Sequence, residues 1–247
     1  MSSLLPFPAS ADAATIDVVM TLVHGLMLGL FVGWGLYFAW VLVRYRRSRQ
    51  PKADPQGARG RIALWTEVSV VAAEVLLLLV FALPIWFKRT SAQPVDPAAV
   101  AVRIVAQQFF WNVHYPGADG QFGRTSASLI SPENPLGLDR QSPFGRDDVV
   151  EIGELHLPLN RQVIIQLSSK DVIHSFGLPA MRVKRDAVPG LVAPVWFTPT
   201  QAGRFDIACS QLCGLAHYRM KGVVIVESDA QFRTFLADEA AAQRNSR

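Results

Sequence analysis

The sequence predicts a membrane-anchored protein in which a hairpin of two transmembrane helices precedes an all-β domain. Half of the 247 residues are apolar, and two long apolar runs within residues 1–90 lie on either side of a basic loop. From residue 100 onward, short runs rich in β-branched and aromatic residues are separated by Gly, Pro and Asn. Many short strands without a long helical period favour a β-sandwich or a Greek-key barrel.

Residues 1–15 precede the first apolar run and contain no Lys or Arg. They lack the positive n-region of a secretory signal, and the basic loop between the two spans leads us to expect them outside the cytoplasm. Residues 16–43 are apolar apart from Asp17 and His24. Because about 20 residues span a bilayer, this run is long enough to be a first transmembrane helix with some tilt. The alternative is a buried core helix.

Residues 44–62 form the basic loop, which is crowded with Lys and Arg and has Asp54 as its only acid. Such an excess of positive charge between two spans is typical of a cytoplasmic loop. Both termini and the β domain are therefore expected on the outer face of the membrane. Acids and bases are nearly balanced in residues 91–227, which argues against a nucleic-acid-binding groove.

Residues 63–87 are the predicted second transmembrane helix, and they contain two carboxylates. Glu67 and Glu74 are separated by about two helical turns, so they share one face. Ionisable groups at membrane depth are costly and usually face protein or water. We expect a proton-related role for Glu74, with pairing inside a helix bundle as the alternative.

The second span is followed by a Pro-containing linker at residues 88–99 and then by the predicted β domain at residues 100–228. Its strand-like runs are 100–115, 149–155, 162–167, 192–197, 203–208 and 222–227. Residues 116–148 are rich in Gly, Pro and Ser and predict a long surface excursion. Residues 229–247 predict a C-terminal helical tail that follows a capping box between Ser228 and Gln231 and frays at its Ala-rich end.

The most informative stretch contains Cys209, Cys213, His217 and Met220, and these cysteines are the only two in the chain. Thiolates, an imidazole and a thioether together favour copper over calcium, magnesium or manganese. Two thiolates this close can bridge two copper ions, which then need a second histidine. The best candidate is His174.

Two other interpretations of the cysteines remain open at this stage. Two extracytoplasmic cysteines commonly form a disulfide, although the ring would be small. A zinc site with two Cys and two His is the other interpretation, and it leaves Met220 without a role.

These motifs resemble subunit II of the haem-copper oxidases, the subunit that carries the binuclear CuA centre. The resemblance covers residues 16–228 and is most specific in DVIHSFGLPAMRVKRDAVPG and FDIACSQLCGLAHYRM. It implies a cupredoxin fold and a binuclear copper site on two loops of a rigid sandwich. The implied ligands are His174, Cys209, Gln211 through its backbone carbonyl, Cys213, His217 and Met220. Asp171 and Ser175 flank His174, and either is a candidate to orient its imidazole.

The resemblance also assigns a role to the aromatic cluster Phe109, Phe110 and Trp111. In the family, an aromatic cluster at this position lies near the copper and receives electrons from cytochrome c. Its first residue is typically Trp, whereas this chain has Phe109, so the identity of the donor stays open. The alternative is a core strand with aromatic side chains on both faces.

Gln211 is a second departure from the family pattern. Relatives commonly have Glu, whose carbonyl binds copper while its carboxylate reaches a magnesium ion at the interface with subunit I. A backbone ligand is retained in Gln211, but a hard dication favours a carboxylate. The sequence therefore predicts copper and leaves magnesium open.

The function implied by the resemblance is that of the electron-accepting subunit of a respiratory cytochrome c oxidase, an oxidoreductase of the bacterial inner (plasma) membrane. Electrons would come from cytochrome c or a similar small donor and pass to haem in subunit I, where oxygen reduction is coupled to proton pumping. Subunit III is a further expected partner. The alternatives are the same module in a CuA-containing nitric oxide reductase, or a membrane-anchored copper chaperone with a thioredoxin-like alternation of helices and strands.

Overall fold

The computed structural model describes residues 5–52, 60–90 and 96–245. Parts of four predicted segments lie outside the described residues: 1–4 of the N-terminal segment, 53–59 of the basic loop, 91–95 of the linker and 246–247 of the tail. The chain forms two compact units. One comprises Thr15–Ala92, and the other comprises Met1–Ala14 together with Gln93–Arg247.

The first unit is built from three α-helices, with α1 at Ala13–Arg44, α2 at Arg61–Leu77 and α3 at Leu83–Thr90. A π-helical segment, Leu78–Ala82, joins α2 to α3. Pro84 lacks the N–H that would bond to a carbonyl one turn earlier, and a wider turn beside it accommodates that loss. The stretches Ala13–Arg44 and Ala63–Phe87 are both long and apolar enough to cross a membrane, as predicted.

The second unit is a sandwich of two five-stranded sheets, with strand orders β3-β2-β1-β5-β8 and β4-β10-β9-β6-β7. Pairing is antiparallel except between β1 and β5 and between β4 and β10. The strands are β1 Val100–Gln107, β2 Phe110–Tyr115, β3 Val149–Ile152, β4 Glu154–Pro158, β5 Val163–Ser169, β6 His174–Leu178, β7 Val183–Ala187, β8 Ala193–Phe197, β9 Gly203–Cys209 and β10 Lys221–Glu227.

This architecture confirms the predicted fold class, two apolar helices followed by an all-β sandwich. Alternate residues of β1, β5 and β10 are buried, because successive side chains of a strand point to opposite faces and only one face meets the other sheet. The thioredoxin-like alternation expected for a copper chaperone is not seen among the described residues.

Several predicted strand boundaries were wrong. The run 100–115 is divided by a two-residue turn at Gln108 and Phe109, and the run 149–155 is divided at Gly153, whose φ is +79°. Strands β6 and β7 were not predicted. All five residues of β6 are buried, and β7 has exposed residues at its centre, so neither shows the alternation that reveals a half-buried strand.

The N-terminal segment before α1 pairs with the sandwich, which was not predicted. The Ala9 N–H donates to the Ala180 carbonyl at 2.8 Å, and the Thr200 N–H donates to the Ala9 carbonyl at 2.9 Å. The Ser10 hydroxyl donates to the Met181 carbonyl at 2.7 Å. Ala9 is fully buried and Ser10 is nearly so. These contacts make the N-terminal segment part of the β unit.

Residues 116–148 form the predicted excursion, and their last residue anchors it. The carboxylate of Asp148 is fully buried and lies 2.6 Å from His114 Nε2. It also accepts the N–H groups of Gly117 and Gly123, at 3.1 and 2.8 Å. A buried carboxylate with several donors satisfies its hydrogen-bonding capacity and fixes the loop that carries it.

The tail forms α4, Asp229–Asn245, and the predicted capping box is confirmed. Ser228 Oγ accepts the Gln231 N–H at 3.3 Å, and Gln231 Oε1 accepts the Ser228 N–H at 3.1 Å. The expected fraying of the Ala-rich end was wrong as far as Asn245, because Gln243 Nε2 donates to the Val150 carbonyl at 3.0 Å. A long-range contact of this kind leaves no local signal in the sequence.

Two carboxylates meet where α4 packs on β3. Burial, and then the neighbouring Glu239 carboxylate, raise the pKa of Glu151 to about 7. The neutral acid is therefore favoured at this contact, and ionisation of Glu151 opposes the docking of α4.

Candidate metal centre

The predicted ligands come from the ends of two neighbouring strands of one sheet. His174 is the first residue of β6 and Cys209 is the last residue of β9, so the expectation that His174 lies in a loop was wrong. The other predicted ligands lie between β9 and β10. A hydrogen bond of 3.3 Å from the Cys209 N–H to the Met220 carbonyl closes that loop. The first and last ligands of the loop are thereby brought together.

The structure brings all six predicted ligands together. The Sγ atoms of Cys209 and Cys213 are 3.8 Å apart, and both thiols are free. The remaining donors adjoin these two sulfurs. The distances are 4.0 Å from His174 Nδ1 to Cys209 Sγ, 3.1 Å from the Gln211 carbonyl oxygen to Cys209 Sγ, 3.4 Å from His217 Nδ1 to Cys213 Sγ, and 3.7 Å from Met220 Sδ to Cys213 Sγ.

This arrangement fits a cluster of soft metal ions. Two sulfurs that each bond one ion at about 2.3 Å must lie within about 4.6 Å of each other, and the sulfurs here satisfy that limit. Donor atoms of His174, Cys209 and Cys213 all lie within 4.8 Å of one another. A single tetrahedral zinc ion takes four ligands and would leave the thioether of Met220 without a role. Two shared sulfurs with four further donors match two ions.

Asp171 is the predicted neighbour that contacts the imidazole of His174. Its Oδ1 lies 2.8 Å from His174 Nε2, which leaves Nδ1 facing the sulfurs. Burial alone would raise the pKa of Asp171, but hydrogen bonds from the Gln108 N–H, His174 and the Val172 N–H outweigh it and hold the pKa below its usual range. The ionised carboxylate therefore favours the His174 tautomer that carries its proton on Nε2.

The hydroxyl of Ser175, the other predicted neighbour, makes no hydrogen bond to the imidazole. Its carbonyl accepts the Ser210 N–H at 2.9 Å, so it supports the chain directly after Cys209 through the backbone.

The thiol of Cys213 is buried. Burial, and then the neighbouring thiol of Cys209, raise the pKa of Cys213 to about 11. Without a metal the thiol therefore keeps its proton at neutral pH, and binding of a metal ion must release it.

The aromatic cluster lies beside the ligand loops. Phe109 sits in the turn between β1 and β2, and its ring is so close to Gly214 that a Cβ there would lie 3.2 Å from it. Phe110 is the first residue of β2. Trp111 is fully buried, with ring centroids 6.2 Å from His174 and 5.4 Å from Phe176. By position, the cluster is both a core strand and a neighbour of the metal site.

Gln108 is a site residue that was not predicted from the sequence. Its Nε2 donates to the Cys213 carbonyl at 2.6 Å, and its backbone N–H donates to Asp171 Oδ2 at 2.7 Å. Its place next to the aromatic cluster was the only signal in the sequence. Glu74 lies on α2 and is exposed, and it belongs to the other unit.

Large apolar side chains are exposed on the ligand loops. Leu215 is fully exposed, Leu212 is 77% exposed and Tyr218 is 74% exposed, and all three lie between Cys209 and Met220. Ile173, beside His174, is about half exposed. We call Ile173, Leu212, Leu215 and Tyr218 the ligand-loop patch. Several large exposed apolar side chains within one short loop are typical of a site of interaction.

Fold and donor set together define a membrane-anchored β-sandwich protein with a cluster of soft metal ligands. A family model described as cytochrome c oxidase subunit II, periplasmic domain, matches residues 100–228. The chain belongs to this family, whose members are subunits of haem-copper oxidases, and the family implies copper at the cluster.

Two curated relatives are similar to this chain over most of its length. It is 35% identical over 235 residues to alternative cytochrome c oxidase subunit 2 of Bradyrhizobium diazoefficiens, covering 94% of this chain and 83% of that protein. It is 32% identical over 213 residues to cytochrome c oxidase subunit 2 of Cereibacter sphaeroides, covering 81% and 67%. The crystal structure of the periplasmic domain of subunit II of cytochrome oxidase from Bradyrhizobium japonicum is 28% identical and covers 60% of this chain and 99% of that chain, with a TM-score of 0.45.

Proposed function

We propose that this chain is the electron-accepting subunit of a respiratory cytochrome c oxidase. It takes electrons from cytochrome c, or a similar small donor, at a binuclear CuA centre and passes them to haem in subunit I. There, oxygen is reduced in a reaction coupled to proton pumping. The observation that carries the proposal is the convergence of four further donors on two free sulfurs 3.8 Å apart.

Two copper ions held in this way would take up and release one electron shared between them. Cys209 and Cys213 would supply the two thiolates, and His174, His217, Met220 and the Gln211 carbonyl would supply the remaining ligands. These side chains start or end paired strands, or lie in a loop whose two ends are hydrogen-bonded. Ligands held in this way need not rearrange when an electron arrives or leaves. Gln211 lacks the carboxylate that a magnesium ion favours, so a magnesium ion is not part of this proposal.

The contacts of the N-terminal segment support an orientation in the membrane. Because that segment is hydrogen-bonded to the sandwich, we expect the chain before α1 and the chain after α3 on the same side of the membrane. Two crossings satisfy that condition, with the basic loop at residues 44–62 in the cytoplasm. Both termini and the copper domain then face the periplasm from the bacterial inner membrane.

The ligand-loop patch and the aromatic cluster support two separate contacts. We assign the exposed apolar side chains of the patch to docking against the haem-containing subunit I, with subunit III as a further member of the complex. Phe109, Phe110 and Trp111 are assigned to the route by which electrons enter from the donor. Glu74, on α2, is assigned a proton-related role at a membrane contact.

Rapid mixing of the purified oxidase complex with reduced cytochrome c tests the proposed function. We expect the copper absorption to bleach before the haem is reduced, because the copper centre receives the electron first. In a complex that carries Cys213→Ser, which lacks one of the two thiolates, the early bleaching of the copper absorption should be lost and haem reduction should be slow. Haem reduction at the normal rate in that variant would contradict the proposal.

A further inference from the structure

The backbone pairing that joins the two ligand-bearing segments reaches Cys209 but no other predicted ligand. Strands β6 and β9 pair at Phe176 with Cys209 and at Gly177 with Ala208. One more hydrogen bond, from the Ser210 N–H to the Ser175 carbonyl, follows at 2.9 Å. This ladder contacts neither the turn before His174 nor the loop around Cys213 directly.

Gln108 provides a link between these two parts from a third segment, the turn between β1 and β2. Its backbone N–H donates to Asp171 Oδ2 at 2.7 Å, and the same carboxylate contacts the His174 imidazole through Oδ1 at 2.8 Å. Its side-chain Nε2 donates to the Cys213 carbonyl at 2.6 Å. Gln108 therefore contacts both the carboxylate that orients His174 and the backbone of the thiolate ligand Cys213.

The surroundings of Gln108 are shaped for this contact. The residues on either side of the turn pair across the hairpin, Gln107 with Phe110, so the turn is held by a paired sheet. Gly214, which follows Cys213, has a φ of +136°, a conformation that favours glycine. A Cβ on Gly214 would lie 2.7 Å from Gln108 Nε2, so only glycine admits the amide so closely.

We propose that Gln108 is a positioning residue of the copper centre, which ties the His174 segment and the Cys213 loop to the β1–β2 turn. This inference rests on the proposed function, because it concerns the same site. Removal of the side-chain amide frees the Cys213 carbonyl while the backbone bond to Asp171 persists. Groups that support metal ligands typically contribute 10–100-fold to affinity. Gln108 is exposed, and we therefore expect an effect near the lower end of that range.

The test uses the copper-loaded full-length chain in detergent, with Gln108→Leu and Gln108→Glu. The first removes the donor, and the second keeps the shape but places an acceptor against the carbonyl. Gln107→Leu is the matched control, since Gln107 lies in the same hairpin and its amide accepts from Lys170 Nζ, at 2.9 Å. Copper release to a chelator, the copper EPR spectrum, the reduction potential and the melting temperature of the metal-free chain are measured.

We expect both Gln108 variants to release copper about tenfold faster than the wild type and to alter the EPR spectrum and potential, with the control unchanged. Copper release, spectra and potentials equal to those of Gln107→Leu would overturn the inference. So would a lower melting temperature with unaltered release and spectra, which indicates a purely structural residue. The EPR spectrum of the wild type tests the proposed function separately. If the wild type bound no pair of coppers, both proposals would fail. If the wild type binds two coppers and both Gln108 variants behave like it, only the role of Gln108 is refuted.

Discussion

Replacement of Asp171 by Asn tests how the structure orients His174. All the close partners of the carboxylate are donors: Oδ1 faces His174 Nε2 at 2.8 Å and the Val172 N–H at 2.7 Å, and Oδ2 faces the Gln108 N–H at 2.7 Å. Asparagine has one acceptor oxygen and one donor NH2 group. Whichever way it turns, at least one N–H then faces another donor.

The size of the effect follows from the lost hydrogen bond. Hydrogen bonds to charged groups contribute about 1.5–3 kcal/mol, and about 1.4 kcal/mol corresponds to a tenfold change in affinity. Because the Asp171 side chain is partly exposed to solvent, we expect copper affinity in Asp171→Asn to fall by about tenfold.

Competition with a chelator measures this change in the full-length chain. Asp206→Asn is the control. Asp206 is an exposed residue of β9, and its substitution removes the same charge from the strand that ends at Cys209. If Asp171→Asn holds copper as tightly as Asp206→Asn does, the carboxylate does not orient the imidazole.

Three further substitutions probe the N-terminal segment, the contact between β3 and α4, and the aromatic cluster. Ser10→Ala leaves the Met181 carbonyl without its donor and should lower the free energy of unfolding by about 1–2 kcal/mol; unchanged chemical denaturation would refute the docking of this segment. The pKa of Glu151 is raised from 4.5 to about 7. Without solvent screening, ionisation of this carboxyl would lower the free energy of unfolding by about 3 kcal/mol; because the group is only half-buried, we expect a loss of about 1 kcal/mol. Since the folded chain keeps this proton and the unfolded chain loses it, stability falls as the pH rises from 4.5 to about 7. Glu151→Gln should therefore be more stable than the wild type above pH 7 and equal to it below pH 4.5, whereas a gain independent of pH, or the same gain in exposed Glu133→Gln, would contradict this. Phe109→Ala should slow copper reduction by cytochrome c without loss of copper, and an unchanged rate would remove Phe109 from the electron route.

The parts of the fold that were predictable from the sequence have local signals. The spans at residues 16–43 and 63–87 were visible because every residue of such a run faces lipid or protein, so apolar composition is sufficient. The loop ligands were visible because Cys209, Cys213, His217 and Met220 follow one another in a single segment of soft donors.

The parts that were missed depend on long-range pairing. The N-terminal segment joins Ala9 to Ala180 and Thr200, and Gln108 reaches Cys213 across 105 positions of the sequence. Neither contact requires a periodicity or a special spacing. His174 was recognised by its motif, but its position at the start of β6 was not, because a strand buried on both faces shows no alternation.

Copper content together with the EPR spectrum of the full-length chain tests the binuclear centre most directly. We expect two coppers per chain that share one unpaired electron, and we expect Cys213→Ser to lose the second copper or to localise the electron on one ion. A single copper with the spectrum of an isolated ion in the wild type would contradict the proposed centre, as would a metal-free disulfide between Cys209 and Cys213.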